Sequence, residues 1–158
     1  PGAYVGSDAW KGRGLEVAGL IGLIVSLGFV GMEIRQNTQA VRAATIQAVS
    51  DQAMELTLSL ANDDHLPGLV AMMVDDGIVS ADLTEEDARR LILVVGAGMR
   101  RMENVFLQVE AGILDEGALR RTSIGFYRNP FVRELWPKTR DNYDPGFAAY
   151  WDERVAAP

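Results

Sequence analysis

Between Glu16 and Glu33 the chain reads VAGLIGLIVSLGFVGM (Val17–Met32), sixteen residues without a charge and with only Ser26 to moderate them. As a helix rising about 1.5 Å per residue, the run covers about 24 Å, short of the roughly 30 Å hydrocarbon core of a bilayer. Leu15 and Ile34 lengthen it, and snorkelling flanks or a locally thin bilayer would absorb the remaining mismatch. Tyr4 and Trp10 stand upstream, where interfacial aromatics are expected. The leading expectation is a single transmembrane anchor helix over 15–34, after an N-terminal tail over 1–14. Two other readings stay open. One is a hydrophobic helix buried in a soluble or partner-covered fold, which runs below about 18 residues allow. The other is a signal peptide, for which Lys11 and Arg13 resemble an n-region although no Ala-x-Ala-like site follows.

Ala18, Gly22 and Ser26 recur every fourth residue inside this run, so a helix would carry them as a flat strip open to close helix packing, including self-association. Glycine is also simply frequent in such helices. Lys11 and Arg13 precede the run while Arg35 and Arg42 follow it, so the positive-inside rule gives at most a slight lean of the following domain toward the cytoplasm.

The other 124 or so positions suffice for one small domain. No proline interrupts Glu16 to Leu60, and Ile46, Val49, Ala53, Leu56 and Leu60 form a stripe at steps of three and four. The anchor therefore continues into the first helix of a bundle over 35–125. Asn62, Asp63 and Asp64 supply a turn and a cap, and Pro67 opens a short helix that Gly77 ends. Thr84 followed by Glu85, Glu86 and Asp87 is the clearest helix start. That helix keeps one apolar face through Leu91, Val95, Met99, Met102 and Phe106 as far as Gly112. Leu114-Asp115 restarts the chain, and Asn129-Pro130 and Asp144-Pro145 read as two more helix entries. No run alternates as a strand does. The expected class is all-α, with an aromatic-rich C-terminal segment over 126–158.

Directly after the apolar run, Met32 to Ala43 reads M-E-I-R-Q-N-T-Q-A-V-R-A. This resembles a large family of uncharacterised bacterial proteins that open with one hydrophobic helix followed by a Q-I-R-Q-N-T-x-A-x-R-like stretch. The resemblance continues through Arg101, Glu103, Asn104, Gln108, Gly112, Leu114 and Asp115, and ends with Trp136, Tyr143, Pro145, Phe147 and Tyr150. Glu33 stands where glutamine is commoner. The resemblance implies a membrane-anchored helical domain in the bacterial inner membrane and carries over no catalytic residue.

Charge divides the chain. The net charge is −7, from 22 acids and 15 bases, which argues against nucleic-acid binding. Ala43 to Ala88 holds ten acids and no Lys or Arg, whereas Arg89 to Arg140 holds ten bases and five acids. Opposite charges favour packing of the two halves and leave basic surface for an acidic partner or lipid headgroups. Eight of the twelve aromatics lie between Phe126 and Trp151, interleaved with bases. Arg128, Phe131, Arg133, Trp136, Lys138, Arg140, Tyr143, Phe147, Tyr150 and Trp151 are therefore candidates for a partner interface, since arginine and aromatics anchor such surfaces. A lid folding back over the helical core would use the same residues, and a lipid surface would suit them as well.

Chemistry finds little to build on. The chain has no cysteine and one histidine, His65, which removes thiol catalysis, disulfides and paired-histidine metal sites. Asp63, Asp64 and His65 are adjacent on a turn and suit capping; Glu103 and Glu110 share a helix face, where pairing with Arg100 is the ordinary outcome. Gly96 and Gly98 lie in a helical pattern that suits close packing better than a phosphate loop. No cofactor is expected. The function expected is a non-enzymatic, membrane-anchored accessory or scaffolding subunit of a larger integral membrane complex, respiratory or photosynthetic in type by analogy. The alternatives are a sensor holding a small apolar ligand among Met72, Met73, Met99 and Met102, and a membrane-bound enzyme relying on carboxylates such as Glu103 or Glu110.

Overall fold

The computed structural model describes the backbone of residues 6–156 and the side chains of residues 16–155. The roles expected of Tyr4, Trp10, Lys11 and Arg13 lie outside the described side chains. Six α-helices and no strand occur among the described residues: α1 (Gly6–Ala61), α2 (Leu66–Ala71), α3 (Glu85–Glu110), α4 (Gly117–Arg120), α5 (Pro130–Thr139) and α6 (Pro145–Trp151). Wide π turns extend α2 over Met72–Asp76 and α6 over Asp152–Ala156.

Helix α1 starts at Gly6, so most of the stretch expected as a tail over 1–14 is helical; nothing between Gly6 and Gly14 is a proline or a capping turn strong enough to end it. The chain divides into two compact units after Ala43, nine residues beyond the boundary expected after Ile34. In the first unit every described side chain is exposed, from Glu16 through Ala43. This is one helix long and apolar enough to cross a membrane, and none of its most apolar window is buried within the chain.

The second unit, Ala44–Pro158, holds the core, and the aromatic segment over 126–158 is part of that unit. Its helix ends follow local chemistry. Thr84 caps α3 by accepting from the Asp87 amide at 3.1 Å, with Glu85, Glu86 and Asp87 in the first turn. Asn129 and Asp144 cap α5 and α6, each with proline at the next position. Gly77 and Gly112 leave their helices at φ of +66° and +68°, where any side chain would be strained. Asp63 accepts from the His65 and Leu66 amides, both at 2.8 Å, so it satisfies the start of α2 that His65 itself leaves uncapped.

The main core joins α2, α3, α5 and α6: Leu69 and Met73 meet Leu91, Val95, Met99 and Met102, and these meet Phe131, Trp136, Phe147 and Trp151. A smaller cluster of Val105, Ala118 and Leu119 takes Val49 of α1 against it. Along the expected α1 stripe, Val49, Ala53, Leu56 and Leu60 are only half-buried and Ile46 is exposed. No side chain of the distal half of α1 is fully buried.

Candidate functional site

The anchor segment comes first. Ten large apolar side chains between Val17 and Met32 are each at least half exposed, Phe29 reaching 72%. Covering them would release on the order of 10 kcal/mol or more. The strip of Ala18, Gly22 and Ser26 is exposed throughout, and nothing lies within 4 Å of a side chain built on Gly19, Gly22, Gly28 or Gly31. Within the I-R-Q-N-T stretch, Thr38 donates to the Ile34 carbonyl at 2.9 Å, a helix-internal bond.

The aromatic segment is the second candidate, and here the sequence reading needs correction. Phe131, Trp136, Phe147 and Trp151 are at most 3% exposed. They are core, so these four do not form a partner surface; the segment instead folds back onto the helical core and packs with Leu91, Val95, Met99 and Met102. Their rings pack edge-on or tilted: Trp151 meets Tyr127, Trp136 and Phe147 at centroid distances of 5.4 to 5.6 Å. Asp152 ties the cluster down. Its carboxylate accepts from Arg140 at 2.8 and 2.9 Å and from the Trp136 indole at 2.7 Å, and these bonds, Arg140 first, hold its pKa below the usual range. Arg128 donates to the Arg154 carbonyl, and Lys138 pairs with Glu134 at 3.0 Å. Of the residues expected at an interface, Arg128, Arg133 and Lys138 are exposed, while Arg140, Tyr143 and Tyr150 are half-buried.

Glu103 is buried and fully engaged. Arg100 donates to it at 2.7 Å and the Asp144 amide at 2.6 Å, so it joins α3 to the start of α6. Arg100 also bonds the Asn142 carbonyl and lies 4.3 Å from the centre of the Tyr143 ring. Glu110 is exposed, and the pair of acids conceived for catalysis does not form a shared site. His65 is exposed and bonds Asp87 at 2.9 Å, whose other oxygen accepts from Thr84 at 2.7 Å. The Thr84 and His65 bonds keep the Asp87 pKa low. Among the described residues no three His, Cys, Asp or Glu side chains gather as a metal group.

Met73, Met99 and Met102 are fully buried in the packed core and Met72 is exposed, so the four do not surround a ligand space as the sensor reading expects. Two open spaces lie elsewhere, against the distal half of α1, and Arg101 borders each. Sequence reasoning passed over Arg101 except as part of the family resemblance. A signal was present: Arg101 and Gln108 occupy the helical stripe of Val94, Gly98 and Val105, where a polar group needs a partner. The Arg101 Nε and Gln108 Oε1 atoms are both buried without a hydrogen-bond partner among the described residues. No family model, curated protein or solved structure matches this chain.

Proposed function

We propose that the protein is a non-enzymatic accessory or scaffolding subunit, anchored in the bacterial inner membrane by one helix and bound to a larger integral membrane complex. The observation that carries this reading is the helix over Val17–Met32, apolar on every side and bare within its own chain. Such a surface requires lipid or another protein as its solvent. The helical domain supports the reading differently: its conspicuous charged groups serve as caps, ties and ion pairs, as Asp63, Glu103 and Asp152 illustrate. Arg133 is the exposed base offered to a partner or to anionic headgroups, beside Arg128 and Lys138, which are exposed but engaged by the Arg154 carbonyl and Glu134; in this reading the domain lies on the cytoplasmic side.

Purification from membranes in mild detergent, followed by native mass and composition, tests this directly. The expected result is a large particle with stoichiometric integral membrane companions, resistant to alkaline carbonate extraction. A lone 17.2 kDa chain or a simple homo-oligomer would overturn the subunit reading. Release by carbonate would overturn the anchor.

A further inference from the structure

Within the Ala44–Pro158 unit, the distal half of α1 and helices α3 and α4 approach without closing. A groove of about 440 Å³ lies between them, within the roughly 300–1,000 Å³ typical of small-molecule sites. Ile46, Val49, Met54, Val105 and Leu114 give it apolar walls. Arg101 and Arg121 also line it, and no carboxylate does, in a chain whose net charge is −7. Arg121 reaches Asp115 only at 3.5 Å, between two well-exposed side chains. Arg101 has no ion pair among the described residues, and its Nε is sealed from solvent without an acceptor. That Nε is closed to a water-sized oxygen, so a molecule in the groove meets the rest of the guanidinium, whose charge no acid among the described residues pairs.

We propose that this groove binds a single-chain fatty carboxylate. The carboxylate accepts from the Arg101 and Arg121 guanidiniums, in the forked geometry that suits arginine. The alkyl chain covers Ile46, Met54 and Leu114. An inorganic anion would answer the charge and leave the apolar walls wet. A second groove of about 630 Å³ is bordered by Arg100 and Arg101, but Arg100 is already paired with Glu103 and Glu55 adds an acid to the lining, so it is a poorer home for an anion.

The test uses the full chain in lipid nanodiscs with a dodecanoate carrying a photoactivatable diazirine near its tail, and maps the labelled residues by mass spectrometry. Label is expected on the groove residues Ile46, Met54 and Leu114, reduced about fivefold or more by excess dodecanoate and unaffected by dodecanol or acetate. Arg101→Gln is expected to lower groove labelling about tenfold, the loss of one charge-assisted hydrogen bond, while labelling of the anchor over 17–32 stays constant. Ser50→Trp fills the groove from the exposed surface of α1 without changing charge, and is expected to block labelling with helix content intact. Label confined to 17–32 would overturn the proposal, as would equal displacement by dodecanol or acetate. Unchanged groove labelling in a folded Arg101→Gln or Ser50→Trp protein would overturn it too.

Discussion

The two most conspicuous apolar stretches of this chain meet opposite fates. Over Val17–Met32 every side chain is exposed, whereas over Phe126–Trp151 the largest rings sit at the centre of the core. The difference lies in angular distribution. The first stretch is apolar on all sides, so no face of its helix can be given to water while another is packed. In α5, Phe131, Val132, Leu135 and Trp136 turn inward while Arg133 and Lys138 stay outside, and in α6 Phe147 and Trp151 repeat one turn apart. Apolar density says that a surface must be covered; its periodicity says whether the chain can cover it alone.

The largest effect that could break this contrast is a core truncation. Trp151→Ala is expected to destabilise the helical domain by about 3–5 kcal/mol, read from urea unfolding followed by circular dichroism in mild detergent. Phe29→Ala, in the exposed stretch, is expected to change the same transition by no more than about 0.5 kcal/mol. Equal sensitivity at the two sites would mean that the anchor packs onto the domain. Next in size, Ile24→Arg places a charge at the middle of the anchor, with an insertion cost of about 3 kcal/mol. Carbonate-soluble protein should then accumulate while the urea transition of the domain is unchanged. Full retention in the carbonate pellet would point to a cover other than lipid hydrocarbon.

Much of this fold is legible in the sequence because its helix ends are written in local chemistry. Thr84, Asn129-Pro130, Asp144-Pro145, Gly77 and Gly112 act within a turn of themselves, so no tertiary knowledge is needed to place them. The role of the aromatic segment was not legible. Arginine beside tryptophan is the composition of an interface, but Arg140 is consumed by Asp152, twelve positions away, and Trp136 by the same carboxylate. Only the tertiary fold brings those groups together. Arg101 was hidden for the reverse reason: a base on an apolar stripe is visible in sequence, but whether a distant acid pairs it is not. Equally, α1 displays a regular stripe, yet Val49, Ala53, Leu56 and Leu60 are only half-buried, because periodicity fixes a face and not how closely another helix approaches it.

A middle-sized effect sharpens the contrast at a single glycine. Gly98 and Gly96 both sit inside α3, but only Gly98 is needed for packing: a β-carbon there would lie 1.9 Å from the Tyr127 hydroxyl oxygen, while nothing lies within 4 Å at Gly96. Tyr127 is buried, and that burial pushes its hydroxyl up to about 12. Gly98→Ala is therefore expected to cost about 1–3 kcal/mol by overpacking. Gly96→Ala should be neutral or slightly stabilising, since alanine favours a helix by up to about 1 kcal/mol. Adding Tyr127→Phe to Gly98→Ala removes the clashing oxygen and leaves the nearest ring carbon at 3.0 Å. The pair should recover at least half of the loss in a double-mutant cycle. No recovery would show that Tyr127 does not lie over α3.

The smallest effect concerns Glu134, which ties α5 to the turn before α3. Its carboxylate accepts from the Ser80 hydroxyl and from the Ser80 amide at 3.1 Å, and pairs with Lys138 at 3.0 Å. The Ser80 hydroxyl, then Lys138, pull its pKa down to about 2 from an ordinary 4.5. A depressed carboxylate stabilises the fold fully above its unfolded pKa, and that contribution fades as pH falls from about 4.5 toward about 2. Solvent reaches the Glu134 side chain and screens the pair, which keeps the contribution modest. Asp63, Asp87 and Asp152 are also held low and give wild type and variant a common acid slope. Glu134→Gln should therefore be less stable than wild type near neutral pH, and the gap should close on acidification. A constant gap from about pH 6 to about pH 2 would show that the Ser80 tie is not what sets the charge of Glu134, and the same series on Arg133→Ala, exposed one residue away, should show no gap at any pH.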